Sequence, residues 1–271
     1  MPSSINRCRL CREARALLRS HVVPEFFYKR VYDAKHRLYT RHNGRLALSP
    51  PLQKGLRERL LCAECEQYFS RLESYARDTL FGKQIVNALN TYVTAPILPM
   101  KRRSLLDRLP SFGFWTKGQV SLTAINYSTM RLFGLSLLWR MAVASNIVWR
   151  NVDLGSHEPT IRKMLTSRDA GKLHEFPFAC IVPLFNGRFF NDWILQPDCV
   201  EASGGFTVRA ILGGYLFVFL FGGVYNRDSL VSYFLRPDGK WTLPIVDAMD
   251  LDFLRHDVNQ MEIAIRAEAT A

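Results

Sequence analysis

Apolar positions after Cys62 recur at intervals of three and four residues: Cys65, Tyr68, Phe69, Leu72, Tyr75, Ala76 and Leu80. That period marks one buried face of a helix. Farther along, Leu132, Leu135, Leu138, Trp139, Met141, Ala142 and Ala144 predict a strongly apolar helix over 127 to 147, central to a core. Another helix is expected after Ser156, carrying Ile161, Met164 and Leu165, because Glu158-Pro159 suits a first turn, where proline's missing N–H removes no bond. The pattern then changes. Short apolar runs at 178 to 184, 187 to 195, 205 to 212, 215 to 221 and 229 to 235 are separated by Asn186-Gly187, Gly204-Gly205, Gly213-Gly214 and Gly222-Gly223, which predicts an antiparallel β-sheet. The longest apolar run, Ala210 to Tyr225, contains four glycines and is shorter than the roughly 20 residues a membrane-crossing helix needs, so it reads as buried strand.

The first hundred residues are less regular. Arg37 to Thr40 and Arg45 to Leu48 flank His42-Asn43-Gly44, and Asn-Gly supplies the positive φ angles of a tight hairpin turn. Between Thr94 and Phe114 three prolines and the run Lys101-Arg102-Arg103 mark a connector, with a boundary near 100 to 115. The expected organisation is a basic unit over 1–103 and an α+β unit over 104–271. With 271 residues, 48% of them hydrophobic and 22% charged, the chain is a packed globule and not a disordered segment. The glycine pairs lack the spacing that cradles phosphate, so they read as turns and no nucleotide cofactor is expected.

Chemistry enters with the cysteines. Cys8/Cys11 and Cys62/Cys65 are two Cys-x-x-Cys pairs, the pattern of a structural zinc site with four thiolate ligands. The alternative is two buried or disulfide-forming pairs. No charged-then-apolar signal opens the chain, and Cys180 and Cys199 lie far away, which favours a reducing cytoplasm. Charge is uneven as well: residues 1–103 hold 20 Lys/Arg against 8 Asp/Glu, a net +12, whereas residues 104–271 hold 16 of each. Such concentration is the electrostatic footprint of a surface that meets nucleic-acid phosphates, although a solvated face, an acidic protein or an anionic lipid would fit it too. Arginines near the sulfurs, Arg7, Arg9 and Arg12, would also offset the −2 charge of a four-thiolate zinc.

Ser20-His21-Val22-Val23-Pro24 and the knuckle Leu60-Leu61-Cys62-Ala63-Glu64-Cys65-Glu66 add a resemblance over residues 6 to 80. Here the chain resembles the HNH nucleases of the ββα-metal, treble-clef class, specifically a bacterial group with a Ser-His-x-x-Pro segment and a Leu-Cys-x-x-Cys-Glu knuckle. The resemblance implies an N-terminal treble-clef zinc module, cleavage of DNA or RNA, and a second, catalytic divalent metal. It makes His21 the general base and Glu66 a metal ligand. Histidine titrates near neutrality, and a carboxylate suits Mg²⁺ or Mn²⁺. Arg57 stands where the motif has its middle asparagine, and the stretch from His21 to Cys62 is longer than in a minimal HNH unit.

Glu73, two helical turns beyond Glu66, shares its face and is a further ligand candidate for the catalytic metal. His36 and His42 lie in or beside the hairpin. Arg19, Lys29, Arg30, Arg37, Arg41 and Arg45 are the candidates for phosphate contact, and Phe26-Phe27-Tyr28 either stack on bases or pack into the core. Two functions follow as expectations: an HNH-like metal-dependent nuclease, or a zinc-stabilised nucleic-acid-binding protein without catalysis. A protein-interaction module is the third.

Overall fold

The computed structural model describes residues 7–37, 41–42, 45–46, 54–94, 116–145, 152–185, 187–189, 194–202, 204–222, 231–251 and 253–254. Its N-terminal elements are β1 (Leu17–His21), the single-turn helix α1 (Glu25–Tyr28), the short strands β2 (Arg41–His42) and β3 (Arg45–Leu46), β4 (Arg57–Cys62), α2 (Ala63–Leu80) and α3 (Lys83–Thr94). β1 pairs antiparallel with β4, Leu17 opposite Cys62 and His21 opposite Arg57, with a bulge between Leu18 and Arg19. Helix α2 buries Tyr68, Phe69, Leu72, Ala76 and Leu80, the stripe its period predicts. β2 pairs antiparallel with β3, Arg41 opposite Leu46 and His42 opposite Arg45, while the expected Asn43-Gly44 turn of this hairpin lies outside the described residues. Residues 38–40 and 47–48 of its expected strands lie outside the described residues, as does the expected boundary at 100 to 115.

The C-terminal elements are β5 (Thr116–Leu122), α4 (Tyr127–Val143), α5 (Glu158–Ser167), β6 (Phe178–Phe185), β7 (Arg188–Phe189), β8 (Asp198–Ala202), β9 (Gly205–Leu212), β10 (Tyr215–Gly222) and β11 (Trp241–Asp247). They build one sheet in the order β5-β11-β6-β10-β9-β8, with β7 paired to β6. The expectation of a purely antiparallel sheet is corrected at one position: β11 runs parallel to β6, Ile245 opposite Val182. Glycine turns encode hairpins such as β9–β10, where Gly213 and Gly214 both take positive φ. A parallel pair needs a long crossover instead, and no local turn residue announces one. The expected strand at 229 to 235 is a 3₁₀ turn, Val231–Tyr233, after which Phe234 bridges Ala179.

Both faces of the sheet are covered. Along β10, Tyr215, Phe217, Phe219 and Phe221 enter the core shared with the helices, while Leu216, Val218 and Leu220 enter a second cluster with Phe234, Leu251 and Leu254. Burial on both sides is why this strand reads as an unbroken apolar run and not as an alternation. Helix α4 is likewise buried on every side from Met130 to Met141. It packs on α2 and on α5, so the core containing Cys8 and Phe69 is continuous with that containing Trp241 and Ile245.

Gly134 in α4 lies against the edge of Phe178, where a Cβ would stand 2.7 Å from Cε1. Phe178 cannot retreat, because Phe219 and Trp241 pack on it. Gly134→Val is expected to lower unfolding free energy by about 1–3 kcal/mol through overpacking, as read by urea denaturation.

Candidate metal centre and the His21 cluster

The first knuckle is a turn closed at its base. Arg7 bridges Ala14, the Cys8 N–H donates to the Glu13 carbonyl at 2.9 Å, and Arg12 takes a positive φ of 66° while its N–H donates to the Cys8 carbonyl. Arg9 N–H donates to the Leu60 carbonyl at 2.9 Å, which joins the turn to β4. The second knuckle is the strand-to-helix junction itself: Cys62 ends β4 as the N-cap of α2, and Cys65 lies in the first helical turn. All four sulfurs consequently lie within 4.8 Å of one another, and Cys11 Sγ is 3.9 Å from Cys62 Sγ. That separation is about twice a disulfide bond, and all four cysteines are free.

Four crowded thiols cannot all ionise unaided. Burial pushes the Cys65 thiol well up, and the neighbouring sulfurs add to this. Burial raises the Cys8 thiol as well, but backbone N–H groups of Cys62, Cys11 and Leu10 bring it below its ordinary value. The Cys62 N–H, at 3.4 Å from Cys8 Sγ, is one such donor. A cation at the centre would relieve the repulsion between thiolates, so the cluster could hold a structural metal ion.

His21 ends β1 beside this scaffold. Its Nε2 accepts at 2.8 Å from Nε of Arg57, the residue directly opposite it on the β1–β4 ladder. Glu25 Oε2 contacts the same nitrogen, while Glu25 Oε1 accepts from the Tyr32 hydroxyl at 3.1 Å. Burial pushes His21 down to about 4, outweighing the Glu25 carboxylate, with Arg57 and Arg140 adding to the fall. The imidazole is therefore neutral at pH 7.

Glu66 accepts from the Ser20 hydroxyl at 2.5 Å, and Glu73 accepts from Arg140 Nη1 at 2.6 Å. The same Arg140 Nη1 donates to the His21 carbonyl at 3.0 Å, and its guanidinium lies over the Phe69 ring. The fold thus brings Ser20-His21 against both carboxylates of α2, but each carboxylate already has a donor. Among the described residues, Cys8, Cys11, Cys62 and Cys65 form the one group of three or more potential ligands that converge on a point; His21, Glu66 and Glu73 do not. Arg140 was missed because it lies inside the apolar stretch of α4, where its 1% exposure leaves no doubt that it is core. Arginines in such a stretch do signal buried partners, and the second one in α4, Arg131, is likewise buried and donates to the Ala170 and Lys172 carbonyls. Glu25, four residues after His21, was legible as a neighbour only once 24 and 25 are seen to open a helix.

The phosphate-contact candidates separate. Arg19, Lys29 and Arg30 are exposed. Arg37 is held by Asp33 through Nε at 2.8 Å and Nη2 at 2.6 Å. Arg41 and Arg45 lie on the β2–β3 hairpin, and His36 lies against the Tyr32 ring. Opposite Arg19 on the ribbon stands Arg59, also exposed, and no carboxylate pairs with either among the described residues. Comparison of the chain with protein-family models, curated proteins and solved structures finds no match. Among the described residues, no helix is long and apolar enough to cross a membrane.

One bound ion per chain is expected by elemental analysis of purified protein, and Cys65→Ser is expected to lose it along with a large part of thermal stability, since metal binding energy is folding energy. Cys199→Ser, at an exposed cysteine outside the cluster, is expected to change neither. Because the folded-state pKa of His21 lies below its unfolded value, its contribution to stability is present above pH 6.5 and is lost as pH falls from there toward 4. His21→Gln should flatten the stability profile over that interval, as read by denaturation midpoints at stepped pH.

Proposed function

We propose that this chain is a zinc-stabilised, HNH-like nucleic-acid-binding protein. Zinc suits the cluster: tetrahedral Zn–S bonds of about 2.3 Å require sulfurs about 3.8 Å apart, and the Cys11–Cys62 separation is 3.9 Å. Knuckle, strand ribbon, second knuckle and helix follow in the order of a treble clef, which supports that reading of the module. Four cysteine ligands close the coordination sphere, so this ion works as a clamp and offers no position to a substrate.

The observation that carries nucleic-acid binding is the pairing of Arg19 with Arg59. Like charges directly opposite on an antiparallel pair repel, and here both are exposed on the β1–β4 ribbon with no acid beside them among the described residues. The nearest ribbon carboxylate, Glu58, accepts instead from Ser145 N–H and Oγ. A phosphate held between the two guanidinium groups would relieve the repulsion, and Arg is the side chain best suited to grip it. The ribbon belongs to the half of the chain that carries the whole net charge of +12.

A hydrolytic reading rests on a separate observation. His21 is neutral, the protonation state a general base needs, but Arg57 would have to leave Nε2 before that nitrogen could take a proton. In that reading Mg²⁺ or Mn²⁺ would have to engage Glu66 in place of, or beside, the Ser20 hydroxyl that Oε2 now accepts from, while Glu73 is paired with Arg140. The two readings part in one experiment: plasmid and single-stranded substrates incubated with and without Mn²⁺ or Mg²⁺, beside gel shifts over a salt series.

Binding without cleavage, with log affinity falling steeply against log salt, is the expected result. Arg19→Glu with Arg59→Glu should weaken binding at least about tenfold and reduce the salt slope by about 1 to 2 units. Metal-dependent cleavage abolished by His21→Ala would establish the hydrolytic reading instead, and absence of binding at low salt would refute both.

A further inference from the structure

The end of α1 and the junction between α2 and α3 enclose a cleft of about 470 Å³, lined by Phe26, Lys29, Arg30, Arg77, Asp78 and Phe81. Its floor is aromatic and its walls are cationic. Phe81 is set edge-on against Phe26, Phe27 and Tyr215, so three rings fix its plane. The tip of the β9–β10 hairpin braces it from below: a Cβ on Gly213 would meet Phe81 Cζ at 3.0 Å. The Arg30 guanidinium lies over the ring, 4.7 Å from its centroid. Lys29 is exposed beside it. The one carboxylate of the lining, Asp78, already accepts from Arg77 Nε at 2.9 Å. Three cations against one engaged carboxylate leave the cleft electropositive, even though it lies at the C-terminal end of α2, where the helix dipole is negative.

We propose that this cleft receives one nucleotide of an unpaired nucleic-acid strand, its base stacked on the Arg30 guanidinium and its phosphate between Lys29 and Arg77. The inference rests on the nucleic-acid reading of the β1–β4 ribbon and adds strandedness to it. A planar cation laid on a ring offers its outer face to a base, and guanidinium planes serve as stacking platforms in this way. A base inside a duplex has both faces covered by its neighbours, so only an unstacked nucleotide can use the platform. The volume lies within the range of about 300–1,000 Å³ over which pockets hold small ligands, room enough for one base and its sugar. A neutral apolar ligand would leave the charges of Lys29 and Arg30 unanswered, since Asp78 pairs with Arg77 alone. The ribbon arginines, by contrast, meet phosphate in either a single strand or a duplex.

The test is fluorescence anisotropy of the full, metal-loaded chain with a labelled oligothymidylate and with the same strand annealed to its complement, at one low salt concentration. Arg30→Ala is expected to weaken binding of the single strand by about 5- to 100-fold, the range for loss of one stacked base, and to change duplex binding less than about threefold. Arg30→Lys keeps the charge and removes the plane, so most of the same loss is expected; Arg30 is exposed, and neither change disturbs the core. Arg19→Ala should weaken single strand and duplex alike. If Arg30→Lys binds the single strand as the wild type does while Arg19→Ala weakens it, the cleft proposal falls and the nucleic-acid reading stands. If the wild-type chain binds neither strand form, both fall.

Discussion

Convergence of Cys8, Cys11, Cys62 and Cys65 is the constraint on which the N-terminal half depends. Two turns separated by about fifty residues have their sulfurs brought within 4.8 Å, and the chain between them must return to its starting point. β1 and β4 are therefore adjacent, and once Cys62 stands opposite Leu17 the ladder carries His21 to Arg57 and Arg19 to Arg59. The positions of the base candidate, of its partner and of the exposed arginine pair all follow from that register. Loop closure of this length costs only a few kcal/mol of chain entropy, which one structural metal ion exceeds comfortably.

The imidazole at the end of this ladder is set by its surroundings more than by its own chemistry. Arg57 donates to Nε2 and burial keeps the ring neutral, so His21 is braced on one side by a cation and on the other by Glu25. Ser20 and Arg140 occupy the two α2 carboxylates in the same way. His21, Glu66 and Glu73 thus each hold a hydrogen bond within the protein. Arg19 and Arg59, in contrast, face each other exposed on the ribbon with no carboxylate paired to either among the described residues, and the proposed phosphate contact rests on that pair.

Much of this was legible beforehand where the signal is local. The three-and-four spacing after Cys62 and Glu158-Pro159 at the start of α5 are each decided within a few residues, and each forms as expected. The four cysteines were legible because metal geometry restricts their spacing. What escaped was non-local. β11 lies parallel to β6 because a crossover places it there, and β5 and β8 carry too little apolar alternation to stand out. The partners of Glu66 and Glu73 depend on where β1 and α4 settle against α2, and no spacing within α2 encodes that.

Arg140 carries the widest consequence. Buried in α4, it holds the His21 carbonyl and the Glu73 carboxylate at once and lies over Phe69. Separating the halves would leave the Glu73 carboxylate on one without its cation, and the Arg140 guanidinium on the other without its carboxylate, carbonyl and ring. The two stretches of chain are consequently tied by a desolvated charge pair as well as by apolar packing, and charge neutrality inside the core is a property neither possesses alone.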